Sequence, residues 1–129
     1  MVEERITDGK RIAELLASEL SARETGPLER VEVIDADRDA TPSADGTPAY
    51  GIAIDGVDVG TASLFPDYVR VTVSLGVDAV VETAASAGVP ARREGETAVL
   101  RVESGAAVKP AVDVIVAAVE GARNASSSL

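Results

Sequence analysis

The chain has 129 residues, the length of one domain, and carries 22 acidic against 12 basic side chains for a formal charge of −10 at pH 7. It contains no Cys and no His, which excludes disulfides, thiolate catalysis and Cys-based zinc sites and removes the usual general base and the commonest metal ligand. The negative charge repels phosphate backbones, and Tyr50, Phe65 and Tyr68 are the only aromatics, too few for a base-stacking platform, so nucleic acid is excluded as a partner.

In chain order, Met1 to Arg5 reads as a frayed end, and the charged opening "MVEERITDGKR" lacks the apolar core of a signal peptide. Thr7 or Asp8 stands where it can cap a helix, and Ile12, Leu15, Leu16 and Leu20 then recur at helical spacing. Thr25-Gly26-Pro27 is the expected stop. "LERVEVIDAD" predicts a first strand with Val31 and Val33 on one face, and "RDATPSADGTP" predicts a loop. "AYGIAI" and "VDVGTASLF" flank Asp55-Gly56, a dipeptide suited to a type I′ hairpin because both central residues need positive φ. In the first arm Tyr50, Ile52 and Ile54 alternate with Ala49, Gly51 and Ala53, so one face is bulky and the other thin.

Pro66 and Asp67 turn the chain into "YVRVTVSL", where Val69, Val71, Val73 and Leu75 alternate with Tyr68, Arg70, Thr72 and Ser74. That pattern predicts an antiparallel sheet with one wetter face. Gly76 breaks the strand. Val77, Val80, Val81 and Ala84 predict a short helix closed by Gly88 and Pro90. "PARR" and "TAVLRVE" predict a second hairpin around Glu94-Gly95-Glu96. The last helix is expected to start near Pro110, to carry Val108, Val112, Ile115, Val116 and Val119 on one face, and to end at Gly121. The longest apolar stretch, Val112 to Val119, contains Asp113 and is too short to span a bilayer.

The strands are grouped rather than alternating singly with helices. The sequence therefore predicts an α+β fold, a single antiparallel sheet of about five to six strands with helices packed on it, in the order α-ββββ-α-ββ-α. One domain covers residues 1–124, followed by a disordered tail over 125–129.

The aspartates of "IDADRDATPSADG" begin a calcium-loop pattern with Asp35, Asp37 and Asp39, but the required Gly is Ala40 and the bidentate Glu is Gly46. The segment reads as an Asp-rich loop. Asp113 adjoins the apolar stripe of the last helix and is expected in its first turn, where a negative charge is favourable. The glycines of "GVDVG" and "DGTPAYG" lack the Lys-Ser/Thr pair and the strand-to-helix setting of a phosphate loop. Lys10 and Lys109 read as ordinary surface positions. No catalytic constellation, cofactor site or metal set emerges.

Two features remain. Arg70, Arg92, Arg93 and Arg101 are the basic groups of the strand regions, and guanidinium forks bind carboxylates and other anions in bidentate fashion. Tyr68, Arg70, Arg92 and Arg93 are candidate contacts for an anion or a partner, while pairing of the arginines with Glu94, Glu96 or Glu103 is their ordinary use. The last helix is Ala/Val-rich nearly all round, and Val114, Ala117 and Ala118 are candidates for a dimer contact where core burial does not consume them.

Two resemblances add expectations. Ten Arg against two Lys, scarce aromatics and crowded carboxylates resemble the composition of proteins from salt-loving archaea. The element order over residues 8 to 122 is similar to the fold of type III secretion chaperones, with four strands before the middle helix where that fold has three. The second resemblance implies a dimer that binds partner segments through sheet and helix surfaces. The expectation is thus a cytoplasmic, non-enzymatic domain that binds a protein partner or a second copy of itself, with no membrane contact. A small-ligand or anion-binding regulatory domain is the alternative. A carboxylate-only hydrolase would need two acids facing each other across a cleft.

Overall fold

A computed structural model describes residues 8–22 and 29–127. In chain order these form α1 (Gly9–Ala22), β1 (Val31–Ile34), β2 (Thr47–Ile54), β3 (Val57–Leu64), β4 (Val69–Val73), α2 (Val77–Ala87), β5 (Ala91–Glu94), β6 (Thr97–Val102) and α3 (Val108–Ser127). The strands make one six-stranded sheet, ordered β1-β2-β3-β4-β6-β5, antiparallel throughout. The α+β class and the element order are those expected from the sequence.

The turns follow from residue chemistry. Asp55 and Gly56 adopt φ of 53° and 81°, both in the left-handed region that a type I′ hairpin needs. The Arg30 guanidinium grips the Asp55 carboxylate with Nε at 2.9 and 3.0 Å from its two oxygens, and this hydrogen bonding holds the carboxyl below its usual range. Asp8 caps α1, its Oδ1 accepting from the Lys10 N–H at 2.9 Å. Thr7 and Thr25–Pro27 lie outside the described residues.

The strands turn most of their bulky aliphatic residues to one side, with Ile34 and Val99 on the other. Tyr50, Ala62, Val71 and Leu100 form one row across the sheet, and Leu64, Val69 and Val102 form the next. All are buried. The three helices pack on this face: α1 against β1, β3 and β4, α2 against β5 and β6, and α3 against both other helices. Ile12, Leu16, Leu20, Val80, Ala84, Val112, Ile115 and Val119 complete the core. Burying each large aliphatic side chain contributes about 1.5–3 kcal/mol.

The last helix departs from expectation at both ends. It begins at Val108, after a 3-10 turn over Gly105–Ala107 whose entry is capped by Ser104. The Ser104 hydroxyl accepts from the Ala107 N–H at 3.3 Å, so the cap lies further upstream than Pro110 suggested. Asp113 is exposed and stands beyond the first turn, so the helix dipole gives it no support. The helix passes Gly121 and continues to Ser127, through most of the segment expected to be a disordered tail. A Cβ on Gly121 would lie 2.9 Å from the Ala79 Cβ on α2. The glycine marks a close helix approach rather than a stop.

The opposite sheet face carries no helix among the described residues. Its rows include Ser63-Arg70-Arg101 and Thr61-Thr72-Val99-Arg92. The lateral edges are β1 and β5, each four residues long.

Candidate functional site

At one end of this helix-free face two aromatic rings and two guanidiniums come together. Phe65 leaves β3 just after Leu64, and its N–H donates to the Tyr68 carbonyl at 3.0 Å across the Pro66-Asp67 turn. This brings the two rings into a parallel stack, with centroids 4.5 Å apart and planes 6° from parallel. The Arg70 guanidinium lies 4.9 Å from the Phe65 centroid, and that of Arg101 lies 4.0 Å from the Tyr68 centroid. Cation–π contacts of this kind contribute about 0.5–1 kcal/mol at exposed positions.

Arg70 and Arg101 are direct cross-strand partners. Like charges in that position repel, and the aromatic pair offsets the repulsion by fixing both guanidiniums. Glu103 pairs with Arg101 at 3.2 Å. Among the described residues Arg70 has no carboxylate partner. The Arg70 fork therefore remains able to take a carboxylate or phosphate, and Arg101 keeps the N–H donors that Glu103 does not use, with the Ser63 side chain in the same row.

The four strand candidates separate accordingly. Tyr68 and Arg70 belong to the stack, and Arg101 joins them through the β4–β6 register. Arg92 lies on the same open face, where its Nε donates to Glu94 at 2.6 Å, the ordinary pairing expected. Arg93 is on the helix-covered side, as its neighbour in a strand must be. It pairs with Asp78 of α2 and donates to the Gly95 carbonyl at 3.2 Å, so it does not belong to the site.

The helix candidates fare differently. Val114 and Ala118 are enclosed by the chain's own core, each at 0 % exposure. Ala118 lies against the backbone of Gly76, where an added Cβ would meet the Ala118 oxygen at 2.5 Å. Neither residue has surface to offer a second copy. Ala117 is half-buried.

A second concavity was not anticipated. One face of α1 and the loop residues Ala36, Asp37 and Arg38 flank an open groove of about 460 Å³. A β-bulge at Ala49, between the Pro48 and Tyr50 pairings, accompanies the appearance of both Ala49 and Tyr50 in its lining. The Tyr50 hydroxyl donates to the Ala13 carbonyl at 2.8 Å, and burial raises its pKa above the ordinary phenol value. Lys10, read from the sequence as an ordinary surface residue, lines the groove and donates to the Arg38 carbonyl at 3.0 Å. Glu14 and Asp37 stand on opposite walls, both exposed.

The aspartates of the loop are engaged locally. Asp35 takes a φ of 52°, and Asp37 Oδ1 accepts from the Asp39 N–H at 2.9 Å. Among the described residues no three acidic side chains converge to hold a metal ion, and no helix is long and apolar enough to cross a membrane.

The chain belongs to a family of unknown function, DUF7993, whose model matches residues 1–128. Searches of curated proteins and of solved structures return no match. Family membership adds no activity to what the geometry offers.

Proposed function

We propose that the protein is a non-enzymatic binding domain that holds an acidic segment of a partner protein on the open face of its sheet. The observation that carries this reading is the facing pair Arg70 and Arg101, stacked on Phe65 and Tyr68 on a face without a covering layer. Planar forks held in place by aromatic rings lose little freedom on binding, which favours bidentate recognition of Asp and Glu side chains. The half-buried Thr61 and Thr72 form the neighbouring row on the same face. The Arg-rich, Lys-poor composition supports a salt-adapted cytoplasm as the setting.

The test is fluorescence anisotropy with labelled Asp- and Glu-rich peptides at moderate salt. Saturable binding is expected, and Arg70→Gln with Arg101→Gln weakens it by roughly 100-fold, while Lys109→Gln leaves it unchanged. Equal binding by the double variant, or no binding by any acidic peptide, refutes the reading. The same two guanidiniums also suit a small dicarboxylate, the alternative of an anion-responsive regulatory domain. Competition by succinate at millimolar concentration favours that alternative over a peptide. Light scattering with and without peptide shows whether the partner is a second copy of the chain.

A further inference from the structure

The groove between α1 and the loop after β1 is separate from the open sheet face and plays no part in the function proposed above. Its volume of about 460 Å³ falls within the range of small-molecule sites. The helix wall is low because Ala13, Ala17, Ser18 and Ser21 recur at the spacing of one helical face. The floor is Tyr50 and Leu64. Both are almost wholly covered, and the Tyr50 hydroxyl is committed to the Ala13 carbonyl, so the apolar surface of the groove comes from Ala17 and the edge of the Tyr50 ring.

Charged groups of both signs meet at the rim, each with bonding capacity left. The Lys10 ammonium makes one bond, to the Arg38 carbonyl, and retains two further N–H donors. Asp37 uses Oδ1 for the Asp39 N–H, and among the described residues its other oxygen has no donor. The Asp37 N–H donates to the Ala49 carbonyl at 2.8 Å, so loop and strand fix the carboxylate's base, while Lys10 ties the helix to the same loop. A simple anion entering here meets Asp37 and Glu14, and a simple amine meets Lys10 and Arg38. A dipolar molecule meets neither penalty.

We infer that this groove binds a zwitterionic α-amino acid with an aliphatic side chain. Its carboxylate sits on Lys10, its ammonium on Asp37, and its side chain along Ala17 and the edge of the Tyr50 ring.

The chain has two tyrosines and no Trp, so Tyr68→Phe leaves Tyr50, in the groove floor, as the sole tyrosine. The experiment titrates this variant with L-leucine and reads tyrosine emission, with backbone amide shifts of the wild-type chain as a second measure. A saturable change is expected, with amide shifts confined to α1 and the loop. Isocaproate, which lacks the ammonium, and isoamylamine, which lacks the carboxylate, each bind roughly 10-fold more weakly or not at all. Ala17→Leu fills the groove with a good helix former and abolishes the response, while Lys10→Met and Asp37→Asn each weaken it. No response to L-leucine, isocaproate binding as well as leucine, or an unchanged response in Ala17→Leu overturns the inference. Acidic-peptide binding at Arg70 and Arg101 is unaffected by Ala17→Leu, so the two proposals fail independently.

Discussion

Tyr50 joins sheet, helix and groove through one hydroxyl. Its ring is buried, its O–H donates to the Ala13 carbonyl, and burial raises its pKa above 10.0. The unfolded chain therefore releases this proton at lower pH than the folded one. The stabilising effect is fully present below about pH 10 and is lost as pH rises toward the folded value, at up to about 1.4 kcal/mol per pH unit. Urea denaturation of the wild type followed from about pH 9 to 11 is expected to show that decline. Tyr50→Phe starts about 0.5–1.5 kcal/mol less stable, having lost the hydrogen bond, and lacks this part of the slope. Equal slopes in the two proteins would contradict the assignment. Arg70 and Tyr68 were legible as site candidates because alternation along β4 places residues on faces without further information. Their decisive partner, Arg101, comes from a register between strands that are not neighbours in sequence, which single-chain periodicity does not encode. Arg93 shows the converse: adjacency to Arg92 suggested a cluster, and strand geometry sends the two to opposite faces.

Elements with a period or a turn dipeptide were read correctly. The Asp55-Gly56 hairpin and the Val69-Val71-Val73 face of β4 are both where their local chemistry put them. The failures concern α3, where glycine carries two meanings. Gly88 ends α2 in the left-handed conformation, with a φ of 75°, as a helix-closing glycine should. Gly121 has helical neighbours on both sides and is instead required by Ala79 of α2. Which meaning applies depends on what the helix packs against. The groove was hidden for the same reason, since its two walls lie 27 residues apart at Lys10 and Asp37 and only the fold brings them together. Close approach of elements also yields a matched pair of substitutions. Gly76 and Gly95 share a positive φ, 58° and 59°, so Ala costs roughly 1 kcal/mol at either from backbone strain. At Gly76 the new Cβ also meets the Ala118 oxygen at 2.5 Å, whereas at Gly95 nothing lies within 4 Å. Chemical denaturation is expected to show Gly76→Ala costing at least about 2 kcal/mol more than Gly95→Ala. Equal losses would mean that α2 and α3 are not in contact there.

Across the whole molecule, a charge of −10 on 129 residues sets the response to salt. The ion pairs among the described residues are exposed, and exposed pairs contribute little. Self-repulsion among surplus carboxylates opposes the compact state and is screened as the Debye length falls from about 10 Å at 0.1 M to about 3 Å at 1 M salt. The melting temperature is therefore expected to rise continuously with sodium chloride over that range. A flat or falling curve would show that the arginine–carboxylate pairs outweigh the repulsion. Peptide binding at Arg70 and Arg101 is expected to move the opposite way, weakening as the same screening reaches the guanidiniums.

The sheet is widest in the middle and narrow at its sides. β2 and β3 have eight residues each, while the lateral strands β1 and β5 have four. β5 reads Ala-Arg-Arg-Glu, with both arginines exposed, and β1 exposes Glu32. Another chain adding itself sideways would find a short backbone ladder bordered by fixed charges, which is how natural sheets resist polymerisation. The direction in which β-structure grows into fibrils is thus closed, even though one face of the sheet carries no helix among the described residues.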